Sequence, residues 1–80
     1  MSWRNPTLTC REVKKGLKSL GFAFRSQRGS HENWVKTDES GKFFKVTLDC
    51  PKQPFSHDLI KSMASQAGVS KRVFYKACGK

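Results

Sequence analysis

No apolar run in these 80 residues approaches the ~20 that a membrane-spanning helix needs, so an integral membrane protein is not expected. A chain this short makes one domain, which excludes a multi-domain enzyme. The residues from Met1 to Pro6 lack the apolar stretch of a secretory signal, and the expected location is the cytoplasm. Cysteine is sparse: Cys10, Cys50 and Cys78 are odd in number, widely scattered, and form no C-x-x-C pair to grip zinc or act as a redox couple. A reduced, intracellular setting follows as the expectation, with no disulfide or metal staple and a core held by packing alone. There is no G-x-x-x-x-G-K phosphate loop, no H-E-x-x-H, and no carboxylate cluster dense enough in sequence for magnesium. No cofactor and no metal are expected.

Acidic residues are scarce too, with 6 Asp plus Glu against 16 Lys plus Arg and a formal charge of +10. A small domain with this balance attracts phosphate backbones, because binding them releases condensed counterions. Nucleic acid is the partner class this favours, with plain solubility or an acidic protein partner as the alternatives.

The order of elements can be read from capping residues and periodicity. Thr9-Cys10-Arg11-Glu12 is a capping box, and Cys10, Val13, Leu17 and Leu20 recur at helical spacing up to Gly21. Arg11, Lys14, Lys15 and Lys18 form a basic stripe on the other side. The aromatic-rich run from Phe22 ends in the turn signal Gly29-Ser30, a second strand follows from His31 to Thr37, and Asp38-Glu39-Ser40-Gly41 turns into a third. Alternation places Phe44, Val46 and Leu48 on one face, with Lys45 and Thr47 on the other. It also groups His31 with Asn33 and Val35, and Glu32 with Trp34 and Lys36. Pro51 and Pro54 stop the ladder. Ser56 caps a helix that Gly68 closes, and Ser70 caps a shorter one through Val73, Phe74 and Tyr75.

The fold class is therefore α+β, a two-layer sandwich of the double-stranded-RNA-binding type with one sheet face left open. As a single domain over residues 1–80, it divides into a tail at 1–8, a helix at 9–20, a three-stranded meander at 22–48, a helix at 56–67 and a short helix at 70–77. Trp3 in the tail has no assigned role.

Few residues can do chemistry. His31 follows Arg28-Gly29-Ser30 where a tight turn enters a strand. Glycine there lets a substrate backbone approach, and Arg25 and Arg28 can hold a phosphate. An imidazole titrates near neutral pH, so one positioned histidine can take the proton of a ribose 2′-hydroxyl that then attacks the adjacent phosphorus. Arg25, Arg28, Lys36 and Lys45 are candidates for stabilising the phosphoryl charge. A histidine beside a turn also fits a surface or hydrogen-bonding role, and spacing alone leaves both open. His57, in the first turn of its helix, reads as solvent-facing.

Leu20-Gly21-Phe22, then Arg25, Gln27-Arg28-Gly29-Ser30-His31, the Val46-Thr47 strand, and Leu59-Ile60-Lys61-Ser62-Met63 through Gln66-Ala67-Gly68-Val69 resemble the HicA toxins. The likeness covers about residues 9–76. It implies a double-stranded-RNA-binding-like fold, endoribonuclease activity on messenger RNA that blocks translation, and inhibition by a HicB-like antitoxin. The family's catalytic histidine maps onto His31, and its glycine and serine onto Gly29 and Ser30. Two departures stand out. Glu32 replaces a second histidine often found next, and Leu48-Asp49-Cys50 replaces the usual valine-proline pair, which gives no ground for adding the strand-to-linker segment to the site.

Two other readings compete. Ala64 to Ser70 followed by Val73-Phe74-Tyr75 looks like the turn and recognition helix of a DNA-binding helix-turn-helix, although that leaves the meander unexplained. A non-catalytic RNA-binding module would keep the fold and charge but cleave nothing, and His31 discriminates it.

Overall fold

A computed structural model describes residues 7–80. The order is α1 (Cys10–Ser19), β1 (Ala23–Arg28), β2 (His31–Thr37), β3 (Phe43–Asp49), a 3-10 turn (Cys50–Lys52), α2 (His57–Ala67) and α3 (Lys71–Ala77). This is the expected α+β arrangement, with a three-stranded antiparallel sheet in the order β1-β2-β3. The helices cover one sheet face, as in the double-stranded-RNA-binding type, and no described helix is long and apolar enough to cross a membrane.

Local signals set the boundaries. The Thr9 side chain accepts from Glu12 N and the Glu12 carboxylate accepts from Thr9 N, so both halves of the capping box are made. Ser56 and Ser70 cap α2 and α3 through Leu59 N and Val73 N. Gly68, at φ 75°, takes the left-handed conformation that ends α2, and its bare Cα lies against the Phe44 ring. Each helix then turns its apolar side to the sheet. Val13 and Leu17 of α1, Ile60 and Met63 of α2 and Phe74 of α3 pack with Trp34, Val46 and Leu48 in one core. Burying a side chain of this size stabilises by roughly 1.5–3 kcal/mol, which lets a small core offset the chain entropy.

Two expectations need correction. The tail stops short of residue 8: Leu8 is fully buried and exchanges both backbone hydrogen bonds with Phe55, N to O at 3.4 and 2.7 Å. Trp3 lies outside the described residues. The core is also not held by packing alone, because Cys10 and Cys50 are joined as a disulfide, with Cα atoms 5.2 Å apart across a sequence separation of 40. That separation is within the span disulfides bridge. The pairing escaped sequence reading because it depends on where the end of β3 meets the start of α1. Cys78 remains a free, buried thiol.

Candidate functional site

The site lies on the uncovered sheet face, and strand register assembles it. Gly29 occupies the first position of the two-residue turn between β1 and β2 with φ 60°, while Ser30 needs no positive φ, the pattern of a type II′ hairpin. A Cβ at Gly29 would meet no described residue within 4 Å, so conformation rather than crowding calls for glycine, and the described turn surface is open to an approaching strand. Gln27 Nε2 donates to Gly29 O at 3.0 Å and steadies the turn.

His31 begins β2 beside this turn, and its side chain is 57% exposed, so the imidazole is reachable. Its ladder partner on one side is Arg28 and on the other Asp49, both on the same sheet face. Asp49 Oδ2 lies 3.5 Å from His31 Nε2, and the Asp49 side chain is only 18% exposed. Next along the face, Asn33 pairs with Ser26 and Thr47. Asn33 Nδ2 donates to Ser26 Oγ at 3.2 Å, and Thr47 Oγ1 donates to Asn33 Oδ1 at 3.4 Å. A polar row thus crosses all three strands beside the histidine.

His31, Thr47 and Asp49 also form one wall of a groove of about 180 Å³, whose other wall is α2 and the segment before it: Phe55, Leu59, Ser62, Met63 and Gln66, with Lys52 at the rim. Gln66 Oε1 accepts from Thr47 N at 3.2 Å, which ties α2 to the free edge of β3 and fixes the groove width. The groove therefore has an apolar floor and a polar rim that includes His31.

The expected cations divide between the two sheet faces. Arg25 sits at the irregularity in the β1–β2 ladder and borders a second depression with Ser26, Asn33, Phe43 and Lys45, so Arg25 and Lys45 lie on the His31 side. Lys36 does not join them. It points to the helix-covered side, with Nζ 5.9 Å from the Phe22 ring centroid and its side chain against Gly21. Alternation along β2 requires this, since Lys36 shares parity with Glu32 and Trp34.

Glu32 is a core residue. It is 8% exposed, accepts from Trp34 Nε1 at 3.2 Å, and pairs with Lys14 at 3.0 Å. Cys10, Glu32 and Cys50 bring one potential ligand atom each within 4.8 Å of one another. Sulfurs joined to each other offer no thiolate to a metal, and the Glu32 oxygens are already engaged, so the trio is a staple with an ion pair beside it. His57 is half-buried rather than solvent-facing, with Lys71 Nζ 2.9 Å from its Nε2.

A comparison with known protein families matches residues 10–69 to "HicA toxin of bacterial toxin-antitoxin". The chain belongs to the HicA toxin family. It is thus a toxin of a toxin-antitoxin pair, and membership implies a cognate antitoxin as partner. The helix-turn-helix reading falls, because the match runs through the strand meander as well as α2. No curated protein and no solved structure matches the chain. Asp49 stands beside His31 in this candidate site, where the sequence alone did not place it. A signal for it existed: the ladder pairs Thr37 with Phe43 and His31 with Asp49, mirror positions about Ser40 in the turn.

Proposed function

We propose that this HicA toxin is an endoribonuclease that cleaves messenger RNA through His31 and so blocks translation. The observation that carries the reading is an exposed imidazole at a glycine turn, on a face that also presents Arg25, Arg28 and Lys45. RNA is the substrate because the attacking group is its own 2′-hydroxyl. His31 takes the hydroxyl proton, the 2′-oxygen bonds to phosphorus, and the bond from phosphorus to the 5′-oxygen breaks. The products are a 2′,3′-cyclic phosphate and a 5′-hydroxyl end, the latter completed by a proton from water. Arg28, beside His31 in the ladder, and Arg25 and Lys45 further along hold phosphates and offset the charge that grows on the phosphoryl oxygens. Gly29 and Ser30 admit the backbone at the turn.

Because the imidazole itself accepts the proton, this route calls for no resident metal or cofactor. A HicB-like antitoxin inhibits by covering His31 or the basic face, with acidic groups whose attraction weakens as salt rises. The test is purified toxin with RNA in excess EDTA, beside His31→Ala, with the new ends analysed. Cyclic phosphate ends from the parent, and about 10²- to 10⁴-fold slower cleavage by the variant, are expected. Cleavage by His31→Ala at the parent rate overturns the reading, and RNA binding without cleavage by the parent points to a binding module.

A further inference from the structure

We infer that Asp49 is a positioning residue for His31: its carboxylate accepts from Nε2–H, which fixes the ring and leaves Nδ1 as the atom that takes the substrate proton. The inference rests on the proposed cleavage chemistry and adds a residue to it.

Three observations carry it. Asp49 faces His31 across the β2–β3 ladder, with Oδ2 3.5 Å from Nε2, close enough for a small ring rotation to complete a hydrogen bond. Asp49 also precedes the 3-10 turn at its N-cap position, where an aspartate ordinarily accepts backbone N–H groups, yet its side chain makes no capping bond. Pro51 in the first turn removes one of the donors such a cap would use. The carboxylate is therefore not spent on the local backbone. Finally, Asp49 Oδ1 is buried without a hydrogen-bond partner among the described residues. A buried carboxylate oxygen in that state calls for an account, and a side chain held beside the His31 imidazole supplies one.

The surroundings fit the role. The groups facing His31 are Arg28 on β1, Asp49 on β3, and Lys52 at the groove rim, while α2 contributes the neutral Ser62 and Gln66. Asp49 is thus the single anion among those groups. A mostly buried carboxylate behind an exposed imidazole holds the ring in one tautomer and stabilises the imidazolium formed when the 2′-hydroxyl proton arrives. Buried placement matters, since a carboxylate as exposed as His31 would be screened.

The experiment uses the full chain as parent, Asp49→Asn, Asp49→Glu, Asp49→Ala and His31→Ala, with the Asp49→Asn/His31→Ala double variant. Cleavage kcat and KM are measured on one single-stranded RNA, and ring-nitrogen NMR records the tautomer of neutral His31 in the parent and in Asp49→Ala. A positioning role predicts that Asp49→Asn lowers kcat at least about tenfold with KM within about twofold, and that Asp49→Glu recovers part of the loss. The double variant should fall no further than His31→Ala, because the two act as a unit. The parent should show one tautomer, protonated at Nε2, and Asp49→Ala a mixture. Parent-like kcat in Asp49→Asn, or identical ring spectra, overturns the inference while the nuclease reading survives through His31→Ala. Parent-like cleavage by His31→Ala overturns the nuclease reading itself, whatever Asp49 does.

Discussion

Gly16 on α1 leaves the space that the Cys78 side chain occupies. A Cβ at Gly16 would overlap Cys78 Sγ and stand 3.2 Å from its Cα and N, so the glycine sets how closely α1 and the end of α3 approach. Alanine is favoured over glycine in a helix by about 1 kcal/mol, whereas overpacking a close contact costs typically about 1–3 kcal/mol. The clash wins, and Gly16→Ala should lose up to ~2 kcal/mol in urea unfolding. A Gly16→Ala protein more stable than the parent would show that the crossing adapts freely.

The thiol of Cys78 is pushed up to about 11, by burial first and then by the nearby Glu12 charge. Since the thiolate is the reactive form, iodoacetamide at neutral pH should modify native Cys78 far more slowly than the unfolded chain. Equal rates would mean that the thiol is not enclosed.

The Cys10–Cys50 bridge spans a sequence separation of 40, and a loop of that size stabilises by about 4 kcal/mol through the unfolded state. Oxidised protein, once denatured, should present one titratable thiol, and reductant should lower its melting temperature well below that of the oxidised form. A melting temperature indifferent to reductant would remove the bridge from the stability account.

Glu32 points away from His31, into the core, and its loss strands the Trp34 indole N–H. Glu32→Ala should therefore cost about 1–3 kcal/mol of stability and leave RNA cleavage per folded molecule unchanged. Lost cleavage at full folding would place Glu32 in the site after all.

Glu12 is held below its ordinary value by the Lys80 ammonium first and by the Thr9 backbone N–H second. A depressed carboxylate contributes stability that is present above the unfolded value of 4.5 and lost as pH falls through the lower folded value. Melting temperature should drop between neutral and acid pH, by less in Glu12→Gln than in the parent. Identical acid sensitivity in both would assign the effect elsewhere.

If RNA lies on the open sheet face as proposed, the face a cation occupies sets its part in binding. Affinity for single-stranded RNA should fall with log salt at about 0.7 per phosphate contacted, and Lys45→Ala should reduce that slope by about that amount. Lys36→Ala, on the covered side, should leave the slope unchanged. The reverse pattern would move the binding surface to the helical layer.

Local features could be read from the order of residues alone. The Thr9–Glu12 box, the Ser56 and Ser70 caps, the Gly68 stop and the alternation through Val46 and Leu48 each depend on residues within one turn or one pleat, and spacing alone reveals them. His31 at its glycine turn was legible for the same reason. The tertiary structure decided the long-range meetings: Asp49 against His31, Cys10 against Cys50, and Cys78 against Gly16. It also separated Lys36 from Lys45, two cations that composition cannot distinguish. Such contacts join residues far apart along the chain, and they exist only once ladder register and helix packing have closed the loops between them.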